Sequence, residues 1–180
     1  MHKCSKAVFK AIIMKYKLNE ETKEHFGRTL HRIVCVTAFA DVAAGELGGW
    51  IESENNLDQL GNAWVSDNAR VSGNARVSGN ARVYGDARVY GDAQVYGNTR
   101  VSGNARVKKT ADYIVLKNNW SSGRYFTYTL SNKMWKVGCF YGTGEALIKK
   151  AYADSELSGK CYEAAVRYVE ALEKIQAEAK

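Results

Sequence analysis

Proline is absent from all 180 residues, where ordinary usage runs near 5%. Its absence fits continuous strands and helices and argues against a stiff linker between lobes. Cysteine is sparse: Cys4, Cys35, Cys139 and Cys161 are widely scattered, with no C-x-x-C pair. That spacing speaks against a zinc site or a dithiol motif, and the expectation is free, buried thiols in a reducing cytosol. Long apolar runs are also missing. Lys6, Lys10, Lys15 and Lys17 interrupt the apolar N-terminal stretch, and no small-residue cleavage site follows. This stretch reads as neither a secretory leader nor a membrane span. A phosphate-binding loop is lacking too. Gly142-Thr143-Gly144 is too short for one and reads as a turn in which Thr143 caps a helix.

What is present is a repeat. From Ala63 to Val107 the chain states one six-residue phrase, A-R-V-S/Y-G-N/D, eight times. Val65, Val71, Val77, Val83, Val89, Val95, Val101 and Val107 lie six apart, each preceded at two residues by Ala or, once, Thr99. Apolar and polar residues alternate within each phrase, which is strand periodicity. The Gly-Asn or Gly-Asp that follows is corner chemistry, since these residues tolerate positive φ. Strands of about four residues cannot stand as isolated hairpins, so a coiled solenoid is predicted. On these residues the chain resembles the hexapeptide-repeat, left-handed parallel β-helix proteins over roughly residues 47–108. That resemblance implies a left-handed coil of three hexapeptides per turn.

A second resemblance rests on longer segments. Met14-Lys15-Tyr16-Lys17-Leu18, the run from Glu21 to Ile33, and Leu47-Gly48-Gly49-Trp50-Ile51-Glu52 are similar to uncharacterised proteins of phages and prophages of Gram-positive bacteria. It implies a phage origin, and hence the host cytosol during infection, and it assigns no catalytic residue.

The division expected is an N-terminal extension (1–13), a strand cap (14–46), the β-helix (47–108) and an α+β domain of three strands then two helices (109–180). In the cap, residues 14–18 and 29–36 read as strands, with a helical turn possible over 19–27. Leu47 is in phase with the valines while Ile51 and Leu57 are in phase with the alanines, which predicts a local insertion. In the last domain, 113–116, 124–130 and 134–140 read as strands. A final helix would set Cys161, Ala165, Tyr168, Val169, Leu172 and Ile175 near one face.

Net charge is +7, and it is unevenly spread. Basic and acidic residues number eight each up to position 60, seven and three over 61–108, and eleven and eight beyond. With eighteen residues per coil, the residues before the valines form outward columns: Arg70, Arg88 and Arg106; Trp64, Arg82 and Arg100; Arg76 and Gln94. Tyr84, Tyr90 and Tyr96 follow successive valines and make a belt around one coil. Guanidinium columns beside rings suit phosphates or carboxylates. The mixture of Trp120, Arg124, Lys133, Trp135 and Lys136 reads instead as sheet packing.

Enzymatic readings are weaker. Hexapeptide acyltransferases commonly use a histidine base, and His2, His25 and His31 all precede the repeat. A zinc site of three histidines, as in gamma-class carbonic anhydrases, lacks ligands there. The expectation is a non-enzymatic phage binding protein without cofactor or metal. Its basic face would engage an anionic macromolecule, such as a host or phage protein in a nucleic-acid-handling complex, with direct nucleic-acid contact a further option. Inhibition of a CRISPR effector would be one instance. The alternatives are a self-assembling structural module, forming a homo-oligomer, and an acyltransferase-like enzyme.

Overall fold

The computed structural model describes residues 14–179; the expected extension over 1–13 lies outside them. Two long strands open it, β1 (Tyr16–His25) and β2 (Arg28–Cys35), followed by β3 (Leu47–Ile51). Eight two-residue rungs come next: β4 (Trp64–Val65), β5 (Arg70–Val71), β6 (Arg76–Val77), β7 (Arg82–Val83), β8 (Arg88–Val89), β9 (Gln94–Val95), β10 (Arg100–Val101) and β11 (Arg106–Val107). They stack as parallel ladders on three faces, β3-β5-β8-β11, β4-β7-β10 and β6-β9. Arg70 pairs with Arg88 and Arg88 with Arg106, so one coil is eighteen residues. The β-helix predicted from the repeat is therefore the architecture of the middle of the chain.

Its core is the valine–alanine ladder: Val65 to Val107 and their alanine partners are essentially inaccessible. Burying each valine contributes about 1.5–3 kcal/mol. The corners need left-handed backbone. Gly85 sits at φ +70, and a Cβ there would lie 3.1 Å from the backbone nitrogen of Gly103 on the next coil. Asp67 holds the equivalent corner one coil earlier at φ +55, and its Oδ2 accepts from the Gly85 N–H at 2.9 Å.

The first coil carries the predicted insertion, but the phase differs from expectation. Ile51 and Leu57 occupy valine positions, opposite Val71 and Val77, while Leu47 is exposed. Ile51–Val71 and Leu57–Val77 are twenty apart, yet Trp64–Arg82 is eighteen. The two extra residues thus lie in the corner around residues 58–61. Asn56, fully buried, repairs the neighbouring ladder. Its Oδ1 accepts from the N–H groups of Glu52 and Ser53 (3.1 and 2.9 Å), and its Nδ2 donates to the carbonyls of Gly73 and Ala75 (2.9 and 2.8 Å).

Both ends of the helix are closed. The first coil leaves carbonyls unpaired, and the N-terminal cap supplies donors. Lys15 Nζ donates to Ala63 O at 2.9 Å and Tyr16 Oη to Leu57 O at 2.6 Å. Burial lowers the Lys15 pKa from 10.5 to about 8. The last coil leaves N–H groups unpaired, and the C-terminal domain supplies hydroxyl acceptors. Thr110 takes Gln94 N, Thr127 takes Arg100 N and Ser131 takes Arg106 N, at 3.2, 3.0 and 2.7 Å.

The flanks differ from expectation in three places. Residues 19–25 continue β1, with a register irregularity between Leu18 and Thr22, because pairing with β2 satisfies their backbone. The C-terminal sheet has four strands: β12 (Tyr113–Lys117), β13 (Tyr125–Thr129), β14 (Met134–Val137) and β15 (Phe140–Gly142). The stretch expected as one strand over 134–140 turns at Gly138, which has φ +54. Helices α1 (Gly144–Asp154) and α2 (Glu156–Glu178) follow, capped by the hydroxyls of Thr143 and Ser155. α2 buries Gly159, Tyr162, Val166 and Val169, with Tyr162 edge-on to Trp120 and Phe126, while Tyr168 and Ile175 face outward. Cys35 is buried, but Cys139 is exposed and Cys161 only partly covered, so the expectation of buried thiols holds for Cys35 alone among the described residues. No described helix is long and apolar enough to cross a membrane.

Asn56→Ala should cost on the order of 2–3 kcal/mol, because it strands buried backbone groups on two adjacent coils. Urea unfolding followed by circular dichroism measures this; an unchanged midpoint would show the ladder closes without the side chain.

Candidate anion-binding site

Side chains before each valine leave the core as three columns, and their surroundings sort them. On β4-β7-β10, Trp64 projects outward but is roofed by Tyr16 and Phe39, whose ring centroids lie 6.4 and 5.6 Å away. At 2% exposure it cannot be the contact residue expected from its phase, because the N-terminal cap covers it. Arg82 below it is ion-paired to Asp41 in the cap loop, and Arg100 is exposed. On β6-β9, Arg76 meets Asp58 at 3.2 Å. Among the described residues, Arg70, Arg88, Arg100 and Arg106 have no carboxylate within ion-pair distance.

Three of those four stand in one column on β5-β8-β11. Successive rungs are about 4.8 Å apart. Two unit charges at that spacing repel by about 0.9 kcal/mol even in water. Among the described residues no carboxylate pairs with this column to offset the repulsion. Arg28 does not dilute it, because both Glu52 carboxylate oxygens accept from its guanidinium at 2.8 Å. A further bond from the Gly73 N–H at 2.6 Å, with Arg28, holds the Glu52 pKa below the usual carboxylate value.

The β1–β2 turn folds across this column. Phe26 and Gly27 take φ +51 and +72, the backbone of a tight two-residue hairpin. The tip and the arginines enclose a cleft of about 420 Å³, lined by His25, Phe26, Arg70, Arg88, Tyr90 and Arg106 among others. The Phe26 ring lies 4.4 Å from that of His25 and 5.8 Å from the Arg88 guanidinium carbon. Arg70 Nε is buried with no hydrogen-bond partner. His25 has its pKa lowered, first by desolvation and then by Arg70, Arg88 and Lys23.

The tyrosine belt is not uniform. Tyr90 lines this cleft. Tyr84 is half-buried, with Lys136 Nζ of the C-terminal domain 5.8 Å from its ring centre. Tyr96 stays 55% exposed. The structure therefore brings together Arg70, Arg88, Arg106 and Tyr90, and separates them from Arg76, Arg82, Arg100, Tyr84 and Tyr96. A second groove holds Arg82, Arg100 and Arg124 beside the Asn62-Asn80-Asn98 ladder, with Asp41 present to blunt it. Phe26 and Arg28 escaped the sequence reading, which weighed His25 only as an enzymatic base. Phe26-Gly27 between strand-forming residues was the available signal for a turn, but nothing in the sequence placed that turn over the arginines.

The repeat matches the YdcK beta-solenoid repeat family at residues 63–79, 69–83, 75–91, 81–97 and 93–108. A protein of Escherichia coli (strain K12) named as an uncharacterized acetyltransferase, YdcK, is 40% identical over 63 residues, covering 29% of this chain and 19% of its own. The chain thus spans about a fifth of that relative's length. The family match lies within residues 63–108, and together with this relative it supports a repeat β-helix protein.

His25 should titrate below the ordinary 6.5 in an imidazole-proton NMR titration, and its pKa should rise when Arg70 and Arg88 are both changed to Gln. Its folded pKa is the depressed one. Its contribution to stability is therefore fully present above the ordinary value and declines as pH falls through that value toward the folded one, since the unfolded chain takes the proton first. A titration unmoved by the double change would remove the arginines as a source of potential in the cleft.

Proposed function

We propose that this chain is a non-enzymatic binding module that holds an anionic macromolecule on the face carrying Arg70, Arg88 and Arg106. One observation carries the reading: three guanidiniums in register, without carboxylate partners among the described residues, roofed by an exposed aromatic hairpin tip. Such a column gives long-range attraction and forked hydrogen bonds to phosphate or carboxylate. Phe26 and Tyr90 add packing area where the partner settles. The rigid ladder beneath keeps the groups in place without an ordering cost on binding.

The more specific form of the proposal sets the module in phage infection. There its partner is a nucleic-acid-handling complex of host defence, of which a CRISPR effector is an example. The resemblance of residues 14–18, 21–33 and 47–52 to phage and prophage proteins supports that setting, and the basic repeat supports a partner with an acidic surface.

Arg70, Arg88 and Arg106 changed together to Glu should abolish capture of the partner in affinity purification from an infected host, with the folded circular dichroism spectrum retained. Nuclease treatment separates protein partners from nucleic acid. Capture that survives the charge reversal would reject this face as the site.

Acyl transfer is a second reading. The name of the E. coli relative, an uncharacterized acetyltransferase, favours it, as does His25, an imidazole biased toward its neutral form beside the arginines. Heat of binding with acetyl-CoA in a calorimeter would support it, and its absence would count against it.

A further inference from the structure

The cleft under the hairpin tip has two chemically different halves. One is the arginine column. The other is aromatic: Phe26, His25 and Tyr90. Phe26 is the informative member. It is 84% exposed and sits at φ +51. Bulky side chains rarely adopt that backbone, and a tight hairpin favours Asn or Asp before its Gly. Folding therefore gains little from a phenyl ring here: the ring buries little surface and the turn would form more easily without it. Residues held in sparsely populated conformations concentrate at ligand sites. The ring meets His25 and Arg88, and most of its surface is open.

The cationic half is also incomplete. Arg70 Nε is buried and without a partner, and a buried donor left unsatisfied is costly enough that native structures seldom keep one. Arg88 and Arg106, likewise without carboxylate partners among the described residues, leave guanidinium donors for an anion in the cleft. The volume of about 420 Å³ lies in the range of small-ligand sites, toward its lower end. It suits one flat ring with a phosphate attached. A duplex has its base faces stacked away, and an acidic peptide would leave Phe26 uncovered.

We infer that the cleft binds a nucleoside phosphate, with the base against Phe26 and Tyr90 and the phosphate on Arg70, Arg88 and Arg106. The inference rests on the reading of this face as an anion-binding site and names its ligand class. Base–aromatic stacking tolerates any base, because every base has a π-face. The ligand is either a free nucleotide or the phosphorylated end of a single strand; both present the same chemistry.

The test is calorimetry on the full chain with AMP, adenosine, inorganic phosphate and a 5′-phosphorylated oligothymidylate. AMP should bind at least about tenfold more tightly than adenosine or inorganic phosphate alone, since it engages both halves. Phe26→Asn keeps the turn's backbone preference and should weaken AMP about tenfold while leaving inorganic phosphate unchanged. Arg88→Gln should weaken both. AMP equal to the oligothymidylate identifies a free nucleotide, and a much tighter oligothymidylate identifies a strand end; either supports the inference. AMP and oligothymidylate binding no better than inorganic phosphate, or unchanged by Phe26→Asn in a protein with wild-type thermal unfolding, would overturn it. If nucleotides fail while the triple charge reversal still abolishes partner capture, this inference falls and the macromolecular reading stands. Nucleotide binding with capture unaffected by that reversal would leave this inference standing and remove the other.

Discussion

The parallel ladder has a direction, and the rest of the molecule answers to it. The N–H groups flanking each rung donate to carbonyls of the coil after it, from Trp50 to Ala69, from Arg70 to Ala87 and from Arg88 to Ala105, while the parallel pairing inside each rung sends a bond the other way. A stack built this way leaves flanking carbonyls unpaired at its first coil and flanking N–H groups unpaired at its last. Unpaired backbone at a sheet edge is both costly and a template for aggregation. The chemistry of the two caps follows. Donors from Lys15 and Tyr16 meet the carbonyl end, and hydroxyl acceptors from Thr110, Thr127 and Ser131 meet the N–H end. The two flanks are not interchangeable, because each is matched to one polarity.

Capping also decides where positive charge remains. The cap loop brings Asp41 to Arg82, and the extra residues of the first coil bring Asp58 to Arg76. Glu52, at the end of the sheet that β1 and β2 extend, ties down Arg28. The column of Arg70, Arg88 and Arg106 receives instead the hairpin tip, with its ring and imidazole. The repeat itself distributes arginine over all three faces. The asymmetry that makes one face a candidate site comes from the elements that close the helix.

The repeat was legible because its signal is local and redundant. Val71 and Val89 occupy the same environment eighteen residues apart, so one phrase read eight times fixes register, core and outward columns together. The first coil was harder. Leu47 mimics the valine phase, but the corner around residues 58–61 holds two extra residues, and only the pairing of Ile51 with Val71 shows which positions turn inward. In the C-terminal domain, Met134 to Phe140 reads as one strand, and Gly138 turns it. On α2, helical periodicity admits two overlapping stripes. Close contact of Gly159 with Tyr152, and of Tyr162 with Trp120, selects the one that is buried.

Composition and period by themselves determined a coiled solenoid with valine inward and arginine outward, because side-chain alternation repeats within a few residues. The eighteen-residue coil that stacks the arginines in rows was implied by the resemblance to hexapeptide-repeat β-helices, and the pairing of Arg70 with Arg88 and of Arg88 with Arg106 shows it. Tertiary structure alone decided that Trp64 is covered, that Arg76 and Arg82 are neutralised, and that Phe26 and His25 lean over Arg88. Those outcomes depend on contacts between segments far apart in the chain, such as Phe26 with Arg88. Such meetings are set by how the caps dock on the ladder's ends, and no local pattern in the chain encodes that geometry.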